Sequence, residues 1–316
     1  MNEPSLRPPA ALEVADAVKR FSAGVALDRV SFAVRPGELF GLVGPDGAGK
    51  TTTIRALAGL LGIDHGSVRV LGCDPLVSST VRDALGVMPQ HYSLYGDLSV
   101  EENLRFFSRM YCLSNREYRE RSRRLLDLTR LAPFVERRAS ALSGGMYKKL
   151  ALACALLHEP SVLLLDEPTN GVDPVSRRDL WELLHGFVAY GMAVLIATAY
   201  MDEAARCHRV GLLHHGRLLA VGAPDALVAE LPHPVYEVVG GSQREVQRLA
   251  ERDPGVLAAS PAGERLRVVV DRRAAARVEQ RIGELGSHLV PVTADFEDLF
   301  LVNTRDVSVT AAEQAP

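Results

Sequence analysis

The run Gly44-Pro45-Asp46-Gly47-Ala48-Gly49-Lys50-Thr51-Thr52 constrains this chain more than any other stretch. It satisfies the pattern G-x-x-x-x-G-K-[ST] at every fixed position, and its flanks suit that pattern. Residues 38–43 form a short, mostly apolar run that reads as a buried strand. Residues 53–60 place apolar side chains at helical spacing. The pattern therefore sits on a strand–loop–helix turn. Gly44, Gly47 and Gly49 let the backbone curl so that its N–H groups face inward, and the following helix adds the partial positive charge of its N-terminus. A loop of this kind cradles a polyphosphate. Lys50 supplies a compact cation for β- and γ-phosphates, and Thr51 a hydroxyl for Mg²⁺. Lysine occurs only at positions 19, 50, 148 and 149, against a background of arginine. A lysine at this position is therefore not compositional drift.

With 316 residues, the chain suffices for one large or two modest domains, and 47% hydrophobic content builds a substantial core. A net charge of −3 leaves no basic footprint for nucleic acid. Cys73, Cys112, Cys154 and Cys207 show no C-x-x-C spacing and read as reduced, mostly buried thiols of a cytosolic protein. No run reaches the ~18–20 apolar residues that span a bilayer. Residues 1–11 are proline-rich, without an apolar signal core, and read as a disordered lead-in. A role at a membrane would need another chain to supply the span.

Along the chain, strands are expected at 12–18, 30–34 and 39–43, with Phe21 in a loop after the first. Phe21 is either a small hydrophobic plug or an aromatic face for a purine. Further strands fall at 66–71 and 86–90, the latter ending at Gln90. Residues 91–140 change character, becoming helical, charged and arginine-rich, with a Ser99-x-x-Glu102 capping box. They read as a helical insertion in an α/β core. Ser143 opens a helix over 147–157. The apolar run 162–165 is a buried parallel strand that delivers Asp166-Glu167-Pro168 at its C-terminal end, where ligands of α/β sheets bind. A helix at 175–190, a strand at 192–198 and a hairpin around His215-Gly216 follow. Residues 12–231 are read as one domain. Residues 232–305 carry a small α+β domain in the β-α-β-β-α-β, ferredoxin-like order, and 306–316 a frayed tail.

A phosphate loop alone leaves many nucleotide hydrolases open. Asp166, after four apolar residues, can hold Mg²⁺, and a carboxylate at Glu167 can take a proton from an attacking water. Leu142-Ser143-Gly144-Gly145-Met146, shortly before that strand, resembles the LSGGQ signature of ABC ATPases. The resemblance runs in order through residues 12–222. It is to the ATP-binding subunits of ABC transporters, and most to bacterial drug and antibiotic exporters. It implies a P-loop α/β fold with ATP and Mg²⁺. Phe21 would stack on adenine. Residues Gly44, Pro45, Asp46, Gly47, Ala48, Gly49, Lys50, Thr51 and Thr52 would bind phosphates. Thr51, Gln90 and Asp166 would attend the metal, Glu167 would be the general base, and Asp173 would lie at a dimer interface. Ser143, Gly144 and Gly145 would face the γ-phosphate held by a second copy or a related ATPase domain. A permease on a separate chain would dock at the insertion and at Tyr92, Leu94 and Tyr95, residues that otherwise serve as local core. The protein would then work on the cytoplasmic side of the cell membrane.

Three positions depart from the family pattern. Met146 replaces glutamine, a mild change because the anion site is backbone. Asp46 replaces asparagine and is expected to point away from the phosphates. Ala199 stands where a histidine usually reaches the γ-phosphate, and alanine offers neither hydrogen bond nor charge. His208 comes a helical turn or more too late. Slow hydrolysis follows as an expectation, and with it an alternative: an ATP-sensing regulatory subunit with little turnover.

Overall fold

The computed structural model describes residues 9–91, 94–263 and 265–313, with side chains through 305. Tyr92 and most of the lead-in lie outside the described residues, as does the end of the tail. The chain divides into two units, residues 1–221 and 222–316.

The first unit is built on two sheets. A three-stranded antiparallel sheet combines β1 (Leu12–Phe21), β2 (Gly24–Val34) and β4 (His65–Val70) in the order β2-β1-β4. The six-stranded sheet has the order β5-β6-β7-β3-β8-β9. It is built from β3 (Leu39–Val43), β5 (Leu85–Met88), β6 (Val162–Asp166), β7 (Ala193–Thr198), β8 (Arg209–His214) and β9 (Arg217–Gly222). The ladders from β5 through β8 are parallel. Strands β3, β6 and β7 are buried at every residue. This explains why they read as unbroken apolar runs: a parallel strand covered on both faces has no polar side to show. Phe40, Leu42, Leu164, Leu195 and Ala197 share one core with Leu57 of α1 (Lys50–Leu57) and with Leu12, Val30 and Val34 of the smaller sheet. The β8–β9 turn has both central residues at positive φ, His215 at 46° and Gly216 at 76°. That backbone twist matches a two-residue hairpin.

Helix α2 (Ser79–Asp83) leads into β5. The insertion follows, with α3 (Val100–Met110) and α4 (Asn115–Thr129) each opened by a complete capping box, Ser99 with Glu102 and Ser114 with Glu117. Helix α5 (Gly144–Leu156) returns the chain to β6, and α6 (Pro174–Ala189) links β6 to β7. Leu94 is buried and belongs to the local core, whereas Tyr95 is half exposed against Phe106.

Two local expectations need correction. Phe21 does not sit in a loop; it is the last residue of β1, paired with Gly24 across a tight turn, and its ring is 48% exposed, so it plugs nothing. Of the four cysteines, Cys154 and Cys207 are buried, with burial pushing both thiol pKa values up, but Cys73 and Cys112 are exposed.

The second unit begins earlier than residue 232, because α7 (Pro224–Ala229) groups with it. Strands β10 (Val235–Gly240), β11 (Val256–Ala262), β12 (Arg265–Val270) and β13 (Ser287–Val292) form an antiparallel sheet in the order β11-β12-β10-β13. With α8 (Gln243–Arg252) and α9 (Ala275–Glu284), the succession is β-α-β-β-α-β, the ferredoxin-like order. Val246, Ala250, Val278 and Ile282 bury one face of the sheet. The other face receives α10 (Phe296–Glu313), whose Val302 meets Val235 and Val269. This helix runs through residues 306–313 of the stretch expected as a frayed tail. Asp295 caps it by accepting from the N–H groups of Glu297 and Asp298.

Candidate functional site: a phosphate loop facing a carboxylate pair

Strand order decides what can meet. β3 delivers the phosphate loop, β6 delivers Asp166 and Glu167, and β7 lies between them and ends at Thr198. All three run in one direction, so their C-terminal ends converge on one rim. The loop is keyed to that rim by Gly44, whose N–H donates to the Thr198 carbonyl at 3.2 Å. Gly49 precedes α1 with φ 111°, and a Cβ there would stand 2.5 Å from the Ala26 carbonyl oxygen. Only glycine tolerates both constraints.

Lys50 is 4% exposed. Its ammonium donates to the carbonyls of Gly44 at 2.8 Å and Pro45 at 3.0 Å, and stands 3.5 Å from Glu167 Oε1. Asp46 is 92% exposed, so its side chain does point outward, although one oxygen remains 3.9 Å from the Lys50 ammonium. Asp166 is 2% exposed, and its Oδ1 has no hydrogen-bond partner in the protein. Burial raises its pKa, opposed by a hydrogen bond from the Thr51 side chain. A buried carboxylate with an unpartnered oxygen beside a hydroxyl is a hard-oxygen set of the kind that Mg²⁺ takes, so these residues fit that ion.

Glu167 has φ 48°, a left-handed backbone that costs a non-glycine residue about 1–2 kcal/mol. Its N–H donates to the Ala197 carbonyl at 2.9 Å, which fixes the turn against β7. Its Oε2 accepts from Gln90 Nε2 at 2.7 Å and from Asn170 Nδ2 at 3.3 Å. Gln90 follows β5, which ends at Met88 rather than at Gln90 itself. The structure thus brings Lys50, Gln90, Asp166 and Glu167 together with Thr51. Asn170 and Lys148 are additional. Lys148 reaches from α5 to the carbonyls of Gln90 and Glu167, and burial lowers its pKa against the opposing pull of Glu167 and Asp166. Its rarity as a lysine was the available signal.

Ser143 caps α5 by accepting from Met146 N–H, and with Gly144 it is exposed. Gly145 is buried, and a Cβ there would lie 2.3 Å from Ser176 Oγ. Asp173 caps α6, accepting from Ser176 N–H at 2.9 Å and Val175 N–H at 3.1 Å. The Ser176 bond leads in holding its pKa low. Phe21 carries the Lys19 ammonium 5.5 Å above its ring.

Ala199 follows β7 directly. His208 cannot stand in for a histidine there. Its Nδ1 accepts from Leu39 N–H at 3.1 Å, at the start of β3, whereas the phosphate loop leaves the other end of that strand, about 13 Å away.

Residues 27–170 match the ABC transporter family. The chain is 37% identical over 294 residues to the Nod factor export ATP-binding protein I of Sinorhizobium fredii, covering 92% of this chain and 85% of that one. The chain belongs to the ABC transporter ATP-binding proteins. Within that family it is also 45% identical over 232 residues to the Escherichia coli K12 protein named Probable multidrug ABC transporter ATP-binding protein YbhF. That match takes in 72% of this chain and 40% of YbhF, so the chain spans well under half of that relative's length. Among solved structures, an ATP-binding subunit of an ABC transporter superposes with a TM-score of 0.64 at 33% identity, over 70% of this chain and 92% of that one. CbiO1 of Clostridium perfringens, described as part of the transporter complex cbiONQ, superposes with a TM-score of 0.65 at 26% identity, over 78% of this chain and 97% of that one.

Proposed function

We propose that this ABC transporter ATP-binding protein hydrolyses ATP with Mg²⁺ to drive export through a permease on a separate chain. One observation carries the reading: a buried lysine in a phosphate loop faces a carboxylate that two amides orient, beside a second buried carboxylate with an unpartnered oxygen. The loop N–H groups and Lys50 bind the phosphates. Thr51, Asp166 and Gln90 hold Mg²⁺, which when bound offsets charge on the phosphate oxygens. Glu167 takes the proton of the attacking water, with Gln90 and Asn170 fixing its carboxylate. Phe21 offers its exposed ring to adenine.

The exposed turn Ser143-Gly144 at the start of α5 is an anion site that a second ATPase domain completes, identical or related, with Asp173 at the seam. Export as the direction draws on the names of the relatives YbhF and Nod factor export protein I. Among the described residues no helix is long and apolar enough to cross a membrane. In this reading the permease supplies the span, and this chain works on its cytoplasmic side. Ala199 favours a second reading, an ATP sensor with little turnover.

The test uses the purified full chain. MgATP is expected to raise its melting temperature and to promote self-association, with phosphate release. Lys50→Ala is expected to lose the nucleotide protection. Glu167→Gln is expected to keep it while turnover falls about 10²–10⁴-fold. Protection without turnover in the wild type selects the sensor reading, and the absence of any nucleotide response defeats both.

A further inference from the structure

Lys148 does something that neither the phosphate chemistry nor the fold requires. It is on α5, the helix that begins at the Ser143-Gly144-Gly145 turn, and is half-buried. Its ammonium lies 3.4 Å from the Gln90 carbonyl oxygen and 3.5 Å from that of Glu167. These are the two residues whose side chains meet at 2.7 Å. The β5–β6 ladder stops at Met88 opposite Leu165, and Gln90 and Glu167 lie beyond its last pair. Lys148 joins the two segments where that ladder has run out. Its three N–H donors can serve two acceptors at once, here through two long contacts that bridge the segments.

We propose that Lys148 is a positioning residue: a staple that ties the start of the helical insertion at Gln90 and the turn at Glu167 to the helix carrying Ser143-Gly144-Gly145. A displacement of α5 is thereby passed to the carboxylate that accepts the water's proton. The inference rests on the hydrolytic reading for its kinetic consequence and on geometry alone for its structural one. The two parts are therefore tested separately.

Lys148→Met keeps an apolar stem and removes the donors. In the full chain, hydrogen–deuterium exchange is expected to quicken in peptides covering residues 86–91 and 167–172, and to stay unchanged in β3, β7 and the second unit. In the assembled transporter, kcat for ATP is expected to fall about tenfold with KM within about twofold, as for a misplaced catalytic group. Lys148→Arg, which retains a donor fork, is expected to restore both. Wild-type exchange at both segments in Lys148→Met overturns the proposal. Faster exchange throughout the unit, unrescued by arginine, also overturns it, because that marks general packing loss. A wild type that binds no nucleotide would sink the hydrolytic reading, while the exchange comparison would still decide the staple.

Discussion

Gln90 and Glu167 are joined by a hydrogen bond of 2.7 Å between Nε2 and Oε2, although 77 residues separate them in the chain. The bond links the segment that enters the helical insertion to the carboxylate proposed as base. An amide donor at that distance selects one rotamer of the carboxylate and leaves Oε1 turned toward Lys50.

Gln90→Ala is therefore expected to lower kcat for ATP by about 10–100-fold, because the carboxylate keeps Asn170 but loses its shorter bond, and also to weaken MgATP binding, because Gln90 is one of the proposed Mg²⁺ ligands. Steady-state phosphate release beside equilibrium nucleotide titration separates the two parameters.

Residue 199 sits one step past Thr198, whose carbonyl holds the phosphate loop at Gly44. An imidazole there would enter the rim from β7, between the two halves of the site. Ala199→His is expected to raise turnover about tenfold or more in the reassembled complex, with binding unchanged. An unaltered rate would remove Ala199 as the cause of slow hydrolysis.

The contact between Gly145 and Ser176 predicts a paired effect. Gly145→Ala drives a methyl group into Ser176 Oγ and is expected to cost about 1–3 kcal/mol in urea unfolding. Ser176→Gly clears the space, so the double variant should recover most of the loss, a coupling that a double-mutant cycle reads directly.

In the second unit Asp253 is buried, with Arg277 at 2.8 Å and Arg281 also bound to it. Burial alone would raise its pKa, but the Gly255 N–H and the two arginines outweigh burial and hold it low. A carboxylate with a depressed native pKa stabilises the fold fully above its unfolded value of about 3.9, and that contribution is lost as pH falls through the native value. Both arginines are about half exposed, so solvent screening discounts the pair. Asp253→Asn is expected to cost about 1–2 kcal/mol at neutral pH and to flatten the stability curve below pH 4, measured by denaturant titration at several pH values.

The parallel strands β3, β6 and β7 were legible because complete burial makes them continuous apolar words, and the phosphate loop because glycine, lysine and threonine each answer a separate physical demand. Phe21 reads as a loop residue because the far end of the β1–β2 ladder is polar and bulged, with register shifts after Val14, Ala17 and Lys19 that break the alternation. The helix from Phe296 was hidden by polar residues in its later turns, although Asp295 followed by Glu297 and Asp298 is a readable start signal. The parts of the site that escaped reading, Asn170 and Lys148, act through their place in three dimensions. Lys148 meets a backbone carbonyl 58 residues away, and no periodicity encodes that.

The scarcity of lysine has a practical side. Lys19 shows 15% of its side chain to solvent, Lys50 4% and Lys149 10%, and Lys148 is half-buried. An acylating reagent finds a surface armoured in guanidinium, with scarcely an amine in reach. Label that does enter Lys50 or Lys148 would report exposure of the phosphate loop or of the Gln90 and Glu167 segments, so ordinary amine chemistry reads the site directly.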